Sequence, residues 1–272
     1  MPFSFILLLA AIQGLTEFLP VSSSAHLVLI PFITGHPYQG QTIDVAAHVG
    51  TLIAVLVYLR QDILKITFAS FRQADSAKQN YHRHLGLMVV GATIPLVLAG
   101  FLVNYADWHW LTLVTTIAWA NIAFAGLLFA ADRFGGHWHG LTDMRWPAAI
   151  CIGLMQICAL IPGASRSGVT MTAARFLNYD RMTAARFSLL LSLPAIAGAG
   201  LLKSIDIINA GDTQLGYDAA AVAVLSALFA LLAIRIMMFW LAKANFTIFV
   251  VYRLALGIIL LTGLELGLIA TS

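Results

Sequence analysis

Residues 13–26 read QGLTEFLPVSSSAH, which places an amide, a carboxylate, three consecutive serines and a histidine close together. Gln13 and Glu17 are spaced i,i+4 and would share one helix face. Ser23 and His26 are i,i+3 if a second short helix starts near Ser22, with the serine run as its N-cap. A second polar cluster occurs at PGASRSGVT (162–170), where Arg166 and Thr170 are again one turn apart and Ser165 and Ser167 flank the arginine. The residue types divide the work of an anion site. Arg166 offers a planar fork for phosphate oxygens, and the serines offer hydroxyl donors. Two helix N-termini would add free N–H groups and positive dipole ends. Glu17 would repel an anion unless it is protonated, holds a divalent cation, or acts as a base. A phosphate or diphosphate with a metal ion gives every group a task, whereas sulfate or a substrate carboxylate leaves Glu17 without one.

These residues sit in apolar surroundings. The stretch before them, MPFSFILLLAAI, carries no charge. Of the 272 residues, 60% are hydrophobic and 10% charged. A soluble domain carries about 25% charged residues, so this composition belongs in a bilayer. An ionisable group at that depth costs several kcal/mol and marks a functional site. Apolar stretches long enough to cross ~30 Å of hydrocarbon occur at about 43–59, 85–103, 111–131, 184–203, 219–241 and 247–268. The expected fold is therefore an all-α integral membrane protein with six transmembrane helices. Two further apolar regions, about 1–34 and 147–177, are each split by a Pro-Ser-rich break and predict re-entrant helix hairpins. The N-terminal run lacks a basic n-region and meets Glu17 at once, which argues against a signal peptide. Cys151 and Cys158, seven apart on an apolar helix, read as core residues.

Charge distribution orients the spans. Arg60, Lys65, Arg72, Lys78, Arg83, Arg133, Arg145, Arg175, Arg181, Arg186 and Lys243 fall on one side and only Lys203 on the other. Arg166, Arg235 and Arg253 lie within membrane segments. Positive residues mark the cytoplasmic side, so both termini are expected outside. Trp108 and Trp110 on the outer side, with Trp138 and Trp146 on the inner, fit interfacial belts. The basic loops also suit contact with anionic membrane lipids.

The second hairpin repeats the first. EFLPVSSSA (17–25) and ALIPGASRS (159–167) both run from an apolar lead-in through a proline to a small, serine-bearing stretch. Each is followed by three spans, giving one membrane domain, 1–272, with repeat one at about 1–131 and repeat two at about 147–272. A hairpin plus three spans reverses direction, so the repeats are inverted and their tips meet near the midplane.

At these residues the sequence resembles the undecaprenyl-diphosphate phosphatases of the bacitracin-resistance type. Their (E/Q)xxxE motif is Q13-G-L-T-E17 here, running into L19-P-V-S-S-S-A-H26. Their PGxSRSxxT motif is P162-G-A-S-R-S-G-V-T170 without a mismatch, and HxGT appears as H48-V-G-T51. The resemblance spans the whole chain. It implies hydrolysis of a C55 polyprenyl diphosphate to the monophosphate, which recycles the lipid carrier for peptidoglycan synthesis. It further implies a bacterial inner-membrane location, a site reached from the outer face, and a divalent cation, Mg2+ or Ca2+, with Glu17 as its ligand. Site roles carry to Glu17, Ser23, His26 and Arg166 as catalytic residues. Gln13, Ser165, Ser167 and Thr170 carry as substrate-binding residues, Thr170 having the alternative of bonding back to the Arg166 carbonyl. Ser22 and Ser24 join them from the chemistry of the tip, with capping and close packing as their other reading. Gln13 departs from the glutamate common there and weakens a two-carboxylate metal site.

The preferred chemistry has Ser23 attack the terminal phosphorus with His26 or Glu17 as base; attack by His26 or by a metal-bound water uses the same cast. His48 reads as structural support. H82-R-H84 and H137-W-H139 read as cytoplasmic loop surface lacking the further ligands of a metal site. The glycines of AIAGAG (195–200) read as helix packing. A transporter or flippase for a phosphorylated lipid is the rival class, since inverted repeats also serve alternating access. A type-2 phosphatidate phosphatase would need a histidine downstream of Ser165-Arg166 that does not follow. No nucleic acid partner is expected, and a homodimer is left open.

Overall fold

The computed structural model describes residues 1–35, 39–71, 77–106, 108–210 and 213–269. Twelve α-helices are formed by these residues: α1 Phe3–Thr16, α2 Ser23–Leu27, α3 Leu29–Thr34, α4 Gln41–Tyr58, α5 Arg60–Phe71, α6 Ala77–Ala106, α7 Val114–Phe134, α8 Trp146–Met155, α9 Arg166–Phe176, α10 Arg181–Ala210, α11 Thr213–Leu241 and α12 Thr247–Glu265. No strand occurs among the described residues, as expected where lipid offers the backbone no hydrogen bonds.

Among the described residues, five helices are long and apolar enough to cross a membrane: Gln41–Tyr58, Gln79–Val103, Val114–Phe134, Leu215–Leu241 and Thr247–Glu265. The span expected at 184–203 lies in the continuous helix α10, though its side chains from 199 onward, Lys203 included, fall outside the described residues, as does Arg72. Prolines inside long helices, Pro95 in α6 and Pro194 in α10, are tolerated at this depth because neighbouring helices take up the freed backbone groups. Large apolar side chains face outward along the spans: Phe101 is 74% exposed and Phe239 68%. Outward apolar faces are what lipid contact requires.

The two odd regions are short helices with breaks. At 14 residues, α1 is about 21 Å long by the 1.5 Å rise, too short for ~30 Å of hydrocarbon. It ends at a turn over 17–21, after which the chain restarts as α2. Helix α8 continues as a tight turn, Gln156–Leu160, breaks, and restarts as α9. Helix α1 packs on α11, while α8 packs on α6; α7 and α12 pair, and so do α4 and α10.

Two expectations change. Cys151 is exposed on α8 rather than buried, because an apolar helix turned toward lipid can carry a cysteine outward. His82 and His84 lie in the first turns of α6, not in a loop.

At one end of the molecule polar contacts gather the segments expected in the cytoplasm. Arg186 Nε and Nη2 donate to Asp62 at 2.9 and 2.5 Å, joining α10 to α5. The Tyr81 hydroxyl donates to the Leu141 carbonyl at 3.0 Å. Asp132 accepts from Arg175 Nε at 3.2 Å, from Arg181 Nε at 2.7 Å and from the Phe246 amide at 3.0 Å. Arg175, fully buried, also donates to the carbonyls of Gly135, Gly136 and Tyr179.

Candidate active site

The two breaks meet. Tip one (17–24) and tip two (161–168) are stitched by Ser167 Oγ donating to the Leu19 carbonyl at 2.9 Å and by the Gly163 amide donating to Ser24 Oγ at 3.2 Å. Each tip turns through a serine with φ +69°, Ser22 and Ser165, immediately before its second helix. A positive φ is uncommon for a side-chain-bearing residue and costs of order 1–3 kcal/mol. Each also pairs its hydroxyl with that of the serine two residues on: Ser22 with Ser24 and Ser165 with Ser167, both at 3.1 Å. The backbone match therefore sets Ser22 on Ser165 and Ser23 on Arg166. That is one residue out of step with a proline-on-proline alignment, because tip two carries one more residue between proline and cap. Ser165 caps α9 by accepting the Gly168 amide at 3.2 Å.

Glu17 is the hub. Its Oε2 accepts from Ser23 Oγ at 3.0 Å and from Gln13 Nε2 at 2.9 Å; its Oε1 accepts from Arg166 Nη2 at 3.1 Å. Only 8% of its side chain is exposed, so the Arg166 pairing acts at low dielectric. Among the described residues Arg166 Nη1 has no hydrogen-bond partner. Gln13, 1% exposed, sits behind the carboxylate and spends its second N–H on His48 Nδ1 at 2.8 Å. His48 Nδ1 thus accepts, placing the ring proton on Nε2. Gln13 Oε1 is buried and, among the described residues, has no hydrogen-bond partner.

A cavity of about 340 Å3 opens over this hub. Glu17, Ser22, Ser23, Ser24, His48, Ser165 and Arg166 form its polar end, and Leu27, Leu96, Leu160, Ile161, Ala195 and Ile196 its apolar wall. A polar end joined to an apolar wall suits an amphiphile with a charged head.

Several expected site residues stand elsewhere. Thr170 is 1% exposed, and its hydroxyl contacts the Arg166 carbonyl at 2.9 Å, the Ser167 carbonyl at 3.1 Å and Ser188 Oγ at 2.8 Å, so it braces α9 instead of lining the cavity. Ser167 is a latch between tips. His26 turns away from Ser23: its Nδ1 bonds the Ser22 carbonyl at 2.7 Å and its Nε2 the Tyr252 hydroxyl at 2.6 Å. Both ring nitrogens are engaged, and the acceptor set to take the Ser23 proton is Glu17. Among the described residues nothing lies within 4 Å of a Cβ placed on Gly198, so no close helix approach is seen there.

His48, read from the sequence as structural support, stands at the edge of the hub. It lies 3.5 Å from Glu17 Oε2 and lines the cavity. The HVGT motif holds it there: a Cβ on Gly50 would lie 2.1 Å from the Ala223 carbonyl oxygen, so only glycine lets α4 approach α11 this closely. Thr51 Oγ1 donates to the His48 carbonyl at 2.8 Å. Arg253 was noted only as intramembrane; it is fully buried and donates through Nη2 to the carbonyls of Gly163 and Ala164, both at 2.9 Å, while Asn121 Oδ1 accepts its Nε.

The sequence matches the family of bacitracin resistance protein BacA over residues 6–259. The chain belongs to the BacA family. Its relatives include proteins named undecaprenyl-diphosphatase from Alcanivorax borkumensis, 46% identical over 94% of this chain and 96% of that one. The Roseobacter denitrificans protein of that name is 44% identical over the same shares, and the Erythrobacter litoralis one 40% identical over 96% and 99%. Tip one and tip two both fall inside the matched region of this BacA chain, so its hub lies within what is shared.

A divalent cation fits the hub in a limited way. Among the described residues no group of three or more His, Cys, Asp and Glu side chains converges. Glu17 is a single carboxylate, and the orphaned Gln13 Oε1 beside it is a hard oxygen in need of a partner. Mg2+ is commonly held by one or two carboxylates plus substrate phosphate oxygens, which such a BacA site provides once a diphosphate is present.

Proposed function

We propose that this chain is a multi-pass membrane phosphatase that hydrolyses undecaprenyl diphosphate to undecaprenyl phosphate, so returning the lipid carrier to peptidoglycan synthesis and lowering the exposure of its diphosphate to bacitracin. The carrying observation is the hub itself, in which a serine hydroxyl, a carboxylate and an arginine from two meeting tips converge under an amphiphilic cavity. The named relatives support the substrate.

Ser23 attacks the terminal phosphorus. Its Oγ–P bond forms as the bond from phosphorus to the bridging oxygen breaks, and undecaprenyl phosphate leaves. The Ser23 proton passes to Glu17 Oε2, already its acceptor at 3.0 Å. Glu17 releases that proton to the departing undecaprenyl phosphate. Water then attacks the phosphoserine, its proton passing by way of Glu17 to Ser23 Oγ as the Oγ–P bond breaks, and inorganic phosphate departs. Arg166 Nη1 and backbone N–H groups at the starts of α2 and α9 hold the equatorial oxygens, where charge stabilisation carries most of phosphoryl-transfer catalysis. Glu17 with Gln13 Oε1 would hold Mg2+ or Ca2+, which when bound neutralises charge on the diphosphate.

The inverted-repeat reading is supported by the matched φ values at Ser22 and Ser165 and by the pairing of α1 with α11 and α8 with α6. Six spans, an inner-membrane location, termini outside and a site reached from the outer face follow from that reading with the charge bias.

The test is phosphate release from undecaprenyl diphosphate by purified protein in detergent, with and without EDTA. Turnover that EDTA abolishes and added Mg2+ or Ca2+ restores is expected. No release across a range of divalent ions and lipids would sink the phosphatase reading.

A further inference from the structure

Two consecutive residues of α12 reach the two tips. Arg253 fixes the carbonyls of Gly163 and Ala164 in tip two directly. Tyr252 reaches tip one through one intermediary: its hydroxyl is 2.6 Å from His26 Nε2, and His26 Nδ1 is 2.7 Å from the Ser22 carbonyl. The carbonyl can only accept, so Nδ1 carries the proton; Nε2 then accepts, and the tyrosine hydroxyl donates. The rings stack, with centroids 5.5 Å apart and planes 8° from parallel. Neighbours in a helix point in different directions, and the tips sit so that each receives one of them.

The carbonyls held in this way matter. Ser22 sits at φ +69°, a conformation that persists only when its surroundings hold it. In a trans peptide the C=O and the following N–H point in opposite directions. Fixing the Ser22 carbonyl against His26 therefore aims the Ser23 amide away from His26 and sets where α2 begins. Ser23 is the first residue of that helix.

We propose that Tyr252, acting through His26, is a positioning residue for tip one, the counterpart of Arg253 at tip two. His26 then works as a strut between α12 and Ser22 instead of as the base for Ser23. This rests on the phosphatase reading. Tyr252 touches no reacting atom; its hydroxyl acts through His26 on the carbonyl of Ser22, the residue before the reacting Ser23.

The test is steady-state kinetics of Tyr252→Phe in detergent against undecaprenyl diphosphate, beside wild type, His26→Gln and the double variant. Tyr252 is about half exposed and Phe keeps the stacked ring, so folding is retained; equal thermal midpoints check this. Misplacing a reacting group by a fraction of an ångström costs turnover more than ground-state binding. A fall in kcat of about tenfold with KM within about twofold is expected. The double variant should be no slower than His26→Gln alone, since both sit in one chain of bonds. Wild-type kcat in Tyr252→Phe, or losses that multiply in the double variant, would overturn the proposal while leaving the phosphatase reading intact. Absence of phosphate release by wild type itself would remove both.

Discussion

At the scale of single residues, the site is built around one carboxylate. Glu17 receives Ser23, Gln13 and Arg166 together, and each contact suits a charged carboxylate. Glu17→Gln keeps the shape but takes away the proton acceptor and the partner of Arg166. Phosphate release should fall by at least about 10²-fold, in the range of general-base losses, with the protein still folded by its thermal midpoint. Ser23→Ala should abolish any phosphoenzyme trapped by acid quench, the direct readout of serine attack. Gln13→Glu makes the opposite kind of change. It replaces the orphaned Oε1 with a second carboxylate beside the first, and should lower the Mg2+ concentration that gives half-maximal activity. A Mg2+ requirement unmoved by that substitution would place the cation elsewhere. Much of this was legible from spacing: one-turn intervals put Gln13 with Glu17, and the serine run marked a cap. The partners of His26 were not legible, because i,i+3 spacing from Ser23 says only that two residues share a side of a short helix. It does not say which partner captures the ring, and Tyr252 lies 226 positions away.

At the scale of elements, the tips depend on backbone that ordinary residues do not adopt easily. Gly163 has φ +93°, and a Cβ there would come within 2.2 Å of the Ile117 carbonyl oxygen. Gly163→Ala therefore faces both an unfavourable dihedral and a clash with α7. It should lower stability by roughly 1–3 kcal/mol and reduce turnover further, because the carbonyl gripped by Arg253 is that of Gly163. Circular dichroism melts alongside kinetics separate the two effects; activity equal to wild type would show that tip two tolerates displacement. The helices themselves were plain in the sequence, since hydropathy reports length and lipid exposure directly. Four of the five spans begin and end within four residues of the expected bounds, and the second begins six residues earlier, at Gln79. What hydropathy does not carry is which apolar helix touches which. Nor does composition distinguish Gly50, pressed against Ala223, from Gly198, whose Cβ position meets nothing among the described residues.

At the scale of the whole molecule, the end opposite the tips' chemistry is tied by charge. Asp132 at the end of α7 accepts from Arg175 of α9, from Arg181 of α10 and from the amide that starts α12, so one carboxylate joins four helices. The sequence showed an excess of arginine on this side and read it as orientation. The pairing of particular arginines with Asp132 and Asp62 depends on helix packing and was hidden. Arg175 has no exposed surface, so removing its counter-charge strands a buried cation. Asp132→Ala should cost about 3–5 kcal/mol, the usual penalty for breaking a buried pair from one side. Replacing both partners with apolar residues of similar volume, Asp132→Leu with Arg175→Met, should recover part of that loss, because no unpaired charge then remains buried. The single variant should melt earlier in detergent yet keep wild-type KM at low temperature, since Asp132 does not line the cavity over Glu17. A raised KM in the folded single variant would mean that the Asp132 ion pairs reach the tips. The route would be α9, which carries Arg175 at one end and Arg166 at the other and so mechanically joins the Asp132 cluster to the tips.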